Sequence, residues 1–187
     1  MTTTSPQRYA PIPAEAMTDE QKAVAKLLIE GPRGGIRGPF NALLRNPKLA
    51  DRVRQLGDSI RFENSLAAAD REFVILMTAR FWTARYEWYA HGKIALELGV
   101  PQATIDAIGE RRKPDNMTGN QPLLWQFCHE MLEVKDVSDA TYAQAIERFG
   151  EKTVLDVMGT SAYFGFVSVI LNTIRAPVPA DAKPLSA

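Results

Sequence analysis

Cysteine is almost missing from this 187-residue chain. Cys128 stands alone, so no intramolecular disulfide and no Cys-x-x-Cys redox pair can form. A surplus of charge of either sign is missing too. With 22 basic and 22 acidic side chains, there is no basic stripe of the kind that lets nucleic-acid binders release counterions. Electrostatic attraction to a membrane surface has no source either. Long apolar runs are also lacking: the stretch Phe73 to Met77 is far short of a membrane span. The opening MTTTSPQRYAPIPAEA has no basic start followed by an apolar run, so it does not read as a signal peptide. These absences predict a cytoplasmic protein that partners neither nucleic acid nor membrane.

What is present reads as helix. The length fits one domain with a core of ordinary size. Residues 1–17 are rich in Thr, Pro and Ala and predict an extended arm. Thr18-Asp19-Glu20-Gln21 has the form of a capping box, opening a helix that Gly31 stops. GPRGGIRGP at 31–39 lacks the Gly-Lys-Ser/Thr ending of a phosphate loop and follows a helix, so it reads as an interhelical turn. Pro39 opens a short helix. Asn46-Pro47 opens another on N-cap and first-turn grounds, with Leu49, Val53, Leu56 and Ile60 as its apolar repeat. A long helix is expected over 70–98, ended by Gly99 and Pro101. A short helix from Gln102, a loop at 111–122 and helices at 123–133, 138–149 and 151–174 follow. No strand alternation is evident. The fold class is all-α, with a helical domain over 18–179 and a loose tail at 180–187.

The segment FWTARYEWYAH at 81–91 threads Arg85, Glu87 and His91 among bulky aromatics. On one continuous helix, Glu72, Leu76, Arg80, Thr83, Glu87 and His91 fall within a band roughly 100° wide. Most other directions are apolar, which marks a buried helix with one polar stripe. Glu87 and His91 lie one turn apart and can touch. A carboxylate favours the imidazolium while burial disfavours both charges, so the pair can titrate near neutrality, as acid–base chemistry requires. Arg80 can neutralise either glutamate or hold an anionic substrate. A structural ion-pair network has the same sequence signature. A metal held with His129-Glu130 would be expected to show Glu-x-x-His spacing and more glutamates, so no metal ligand is assigned. Ser161 and Ser168 sit in apolar sequence without a nucleophile elbow.

The order of these residues resembles the carboxymuconolactone decarboxylase family, which includes the alkylhydroperoxidase AhpD. The peroxidase branch carries Glu, eleven residues, Cys, two residues, Cys, three residues, His. Laid on this chain the pattern runs from Glu72 to His91, with Ala84 and Glu87 at the cysteine positions. Glu87-Trp88-Tyr89-Ala90-His91 is similar instead to the Glu-x-x-x-His element of the decarboxylases. RGPFNALLRNPKLADRVRQLG, Arg71-Glu72 and AYFGFVSVILNTIRAPVP look like a cysteine-less subgroup. The resemblance implies an AhpD-like helical bundle, a homo-oligomer (trimer or hexamer) and a small carboxylated or lactone substrate decarboxylated without a cofactor. It excludes a peroxidase needing a thiolate and a resolving thiol. Arg80 would meet the substrate carboxylate, His91 the developing oxyanion, and Glu87 or Glu72 would return the proton to carbon. Thr83 shares the stripe, and Phe40, Trp88 and Tyr163 are candidate pocket walls. The alternative is a non-catalytic ligand-binding or assembly protein of the same fold. The catalytic reading requires the imidazole and its acids to project together into a hollow.

Overall fold

The computed structural model describes residues 6–180, 182 and 185. The outer part of the expected arm, residues 1–5, and most of the expected tail lie outside them. Eight α-helices and no strand occur among the described residues. The chain divides into two compact units, residues 1–63 with 170–177, and residues 64–169 with 178–187.

In the first unit the local signals act as expected. Helix α1, Asp19–Glu30, opens on a complete capping box between Thr18 and Gln21, which satisfies amides the first turn cannot pair internally. Gly31 ends it, but with φ of −80° rather than in the left-handed region. Glycine is needed there because an added Cβ would stand 2.6 Å from the Leu27 carbonyl oxygen. Helix α2, Phe40–Leu43, is brief. Helix α3, Pro47–Phe62, begins where the Asn46 side chain accepts from the Leu49 amide. Its buried face is Ala50, Val53, Gly57 and Ile60; the expected Leu49 and Leu56 are exposed. The arm is tied down rather than loose. The Arg8 amide donates to the Ile174 carbonyl at 2.8 Å, Arg45 donates to the Ala10 carbonyl, and its guanidinium covers Tyr9.

The second unit is built around α4, Ala68–Phe81, which is buried on nearly every side. It packs against α5, Arg85–Glu97, α6, Gln102–Gly109, and α7, Gln121–His129. Phe73, Val74, Ile108, Leu124, Phe127, Val154 and Val157 form its main core. Gly99 closes α5 at φ of 87°, taking its place in a 6→1 and 5→2 type ending with Val100 bonded to Ala95 and Gly99 to Leu96. Helix α7 runs into a π-helical turn, Glu130–Val134, where a straight helix to Glu133 was expected. Helix α8, Asp139–Ile174, breaks at Gly150, φ 78° and ψ 161°, which separates the two helices expected at 138–149 and 151–174. By length and composition α8 could cross a membrane, but half of its most apolar window is buried in the molecule. Leu185, in the expected loose tail, is buried.

The helix expected over 70–98 is two helices. It breaks at Trp82–Ala84, with Thr83 at φ of 48°. A β-branched residue rarely adopts that conformation, and no glycine or proline marks the spot.

Candidate active site

The break decides the site. On one straight helix Glu72 and His91 would stand about 28 Å apart along the axis and could share a face without touching. With α5 packed on α4, the His91 ring lies between two carboxylates. Its Nδ1 is 2.6 Å from Glu72 Oε2 and its Nε2 is 3.2 Å from Glu87 Oε2. Glu72, Glu87 and His91 are 3%, 4% and 6% exposed, so water screens these contacts little. The sequence-predicted trio is therefore brought together, by tertiary packing for Glu72 and by helical spacing for Glu87.

Burial alone would lower the pKa of His91. The hydrogen bonds it donates to Glu72 and then to Glu87, with the negative charges there, outweigh it and push the imidazole up to about 9. The ring is then an imidazolium at neutral pH, with one N–H directed at each carboxylate. The edge of the Phe164 ring meets it, centroids 4.8 Å apart. Sequence reasoning named the neighbouring Tyr163, which is buried against Phe164, and missed Phe164 itself. It also passed over Arg71 as a working group. The Arg71 Nε is buried without a hydrogen-bond partner and stands 3.9 Å from Glu72 Oε1. An arginine directly preceding the glutamate was the available signal.

The other candidates lie elsewhere. Trp88 packs into both hydrophobic clusters of the second unit, with its ring against Gly109. Phe40 belongs to the first unit, buried under the Arg33 guanidinium. Arg80 donates from Nε to the Gly109 carbonyl at 2.8 Å and from Nη1 to Thr83 Oγ1 at 3.1 Å. It faces a cavity of about 310 Å³ between α4, α6, α7 and the π turn, shared with Phe81, Arg111, Trp125 and His129. The lining includes none of Glu72, Glu87 and His91. The single stripe expected from helical spacing is thus two places. Cys128 touches this cavity but is fully buried, and burial pushes its thiol up to about 12, the opposite of an activated thiolate.

No protein-family model matches the chain, and no curated protein matches it significantly. Solved structures do. A peroxidase-related protein from Silicibacter sp. superposes with a TM-score of 0.76 at 15% identity, covering 97% of both chains. A peroxidase-related protein from Ralstonia eutropha, described as an alkylhydroperoxidase AhpD core, gives 0.74 at 18% identity over 95% of both. The fold is AhpD-like. A debrominase, Bmp8, solved with 2,3,4-tribromopyrrole, shares the AhpD-like architecture at 0.72 and 13% identity, over 95% of this chain and 94% of that one. The AhpD-like fold thus extends over nearly the whole chain, and at these identities the likeness concerns the fold alone.

Proposed function

We propose that the protein is a cofactor-independent, decarboxylase-like enzyme, a cysteine-less variant of the AhpD-like scaffold, that moves a proton on a small carboxylated or lactone substrate. The observation that carries this reading is the imidazolium held between Glu72 and Glu87 at 2.6 and 3.2 Å. The shorter bond fixes the ring through Nδ1. The longer one leaves Nε2–H as the proton that a substrate oxygen can take over by displacing Glu87. When a carboxylate leaves as carbon dioxide, its bonding electrons pass into a conjugated carbonyl, and the new oxyanion needs a donor. His91 Nε2–H supplies it, and Glu87, beside that nitrogen, relays the proton that carbon then takes. Arg71, whose Nε has no hydrogen-bond partner and stands 3.9 Å from Glu72 Oε1, is the cation beside the cluster that can meet the departing carboxylate, in place of Arg80. Phe164 and Tyr163 form the apolar wall. With Ala84 and Glu87 at the positions of the peroxidase cysteines, and Cys128 held as a thiol, thiol-peroxide chemistry is not part of the proposal. The partners proposed are the substrate and further copies of the chain, as a trimer or hexamer, which light scattering would read directly.

The test is turnover of γ-carboxymuconolactone and related lactones. Wild type is expected to consume at least one of them, and His91→Ala to lose ~10²–10⁴-fold in rate, the usual share of acid–base catalysis. If wild type consumes none of the panel, the decarboxylase reading fails.

One observation favours a second reading. The three groups satisfy one another, and the Arg80 cavity omits them, so it is not the hollow that the catalytic reading requires, and a purely structural network would look the same. The variant Glu87→Gln separates the two. An amide keeps an acceptor for Nε2–H, so a proton-transfer site predicts stability near wild type with turnover lost. A structural network predicts the same retained stability and no turnover in either form.

A further inference from the structure

We propose that the cavity beside Arg80 is a second ligand site, apart from the Glu72–His91–Glu87 cluster, that takes a small planar organic anion of the aromatic-carboxylate type. Arg80 is 4% exposed, and buried charges are ordinarily paired. Its two hydrogen bonds go to neutral oxygens and leave Nη2 unused. Among the described residues it has no carboxylate within ion-pair distance. A guanidinium placed in this way on a cavity wall can take an anion there.

A second cation stands beside it. Thr83 Oγ1 accepts from Arg80 Nη1 at 3.1 Å and from Arg111 Nη2 at 3.4 Å. Two guanidiniums therefore converge on one hydroxyl, and like charges at that range repel. Arg112, also in the lining, is already paired with Glu110 at 2.6 Å, and Arg111 is opposed by Glu133, 3.9 Å away in a half-exposed pair. Thr83 and Arg111 each close a helix in the left-handed region, at φ of 48° and 59°. Their 6→1 and 5→2 bonds run from Ala84 to Ala79 and Thr83 to Arg80, and from Arg112 to Ala107 and Arg111 to Ile108. The two helix ends bring their arginines together.

The rest of the wall specifies the shape. The indole of Trp125 is stacked on the His129 imidazole, 4.7 Å apart and 8° from parallel, with Lys113 Nζ over it, and Phe81, under Lys135, adds another ring. The wall is thus aromatic with cations laid on its rings, which suits a small apolar body carrying negative charge. A volume of about 310 Å³ is at the small end for ligand sites and suits a single ring. Arg111 and Arg112, with side chains 45% and 57% exposed, mark the mouth, and Arg80 marks the inner end. A carboxylate entering there can meet a guanidinium by two parallel bonds.

The experiment is calorimetric titration of the full-length protein in carboxylate-free buffer with benzoate and with its neutral isostere benzamide. Wild type is expected to bind benzoate roughly tenfold or more tightly than benzamide, the usual worth of a hydrogen bond to a charged group. Arg111→Gln, at a half-exposed position that a folded variant tolerates, is expected to reduce that preference, and folded His91→Ala to keep it. Equal affinity for acid and amide in wild type, or an undiminished preference in folded Arg111→Gln, would overturn the proposal. Lactone turnover plays no part in the readout, so it stands or falls separately from the proposed reaction.

Discussion

The Glu72–His91–Glu87 cluster and the Arg80 cavity both draw on helix α4, yet they treat buried charge in opposite ways. In the first, one cation meets two carboxylates through short hydrogen bonds, and the groups compensate one another's lost hydration. In the second, a buried cation bonds only to a carbonyl and a hydroxyl while another cation faces the same oxygen. A closed network can be structural or catalytic; an open one needs something from outside. The difference separates a site that carries its own counter-charges from one that waits for them.

The largest expected effect comes from opening the closed network. His91→Ala leaves two carboxylates facing one another in a buried place, a loss of about 3–5 kcal/mol, measurable by urea denaturation at pH 7. A change under about 1 kcal/mol would mean that the cluster is more hydrated than its burial indicates. Next is the pH dependence. The imidazole is raised from its ordinary 6.5 to about 9, so the stability it contributes is complete below pH 6.5 and lost as pH climbs through 9. Wild type should lose on the order of a few kcal/mol across that window, and His91→Gln should flatten that part of the curve.

Gly109 joins the two regions more cheaply. Its carbonyl holds Arg80, and a Cβ there would come within 3.0 Å of the Trp88 ring. Gly109→Ala is expected to cost about 1–3 kcal/mol by overpacking, read as a lowered Tm. Smallest of all, Arg111→Gln should change stability by less than about 0.5 kcal/mol, since its side chain is half exposed and its partner Glu133 is distant. A large loss there would turn the cavity arginines into scaffold and erase the contrast between the regions.

Much of the fold was legible because its punctuation is local. The Thr18 capping box, Asn46-Pro47, and Gly99 each state their backbone requirement within a few residues, and each boundary fell where that requirement put it. The break at Trp82–Ala84 was not legible. Thr83 has poor intrinsic preference for φ of 48°, and what holds it is a 6→1 and 5→2 helix ending, Ala84 bonded to Ala79 and Thr83 to Arg80, that the sequence marks with no glycine. Glu87 and His91 could be paired from spacing alone, whereas Glu72 was grouped with them for a reason that did not survive. It meets His91 because two helices pack, not because one helix presents a common face. Arg80 and Thr83 shared the same helical arithmetic and went elsewhere once the helix broke.

The sequence by itself determined that this protein is helical, where most of its helices start and stop, and which acids and imidazole carry the candidate chemistry. Those properties depend on contacts between near neighbours along the chain. Only the tertiary structure decided that Glu72 closes on His91 from another helix and that Arg80 turns to a separate cavity with Arg111. Burial and helix packing set those partnerships, and neither is a property of any short stretch of residues.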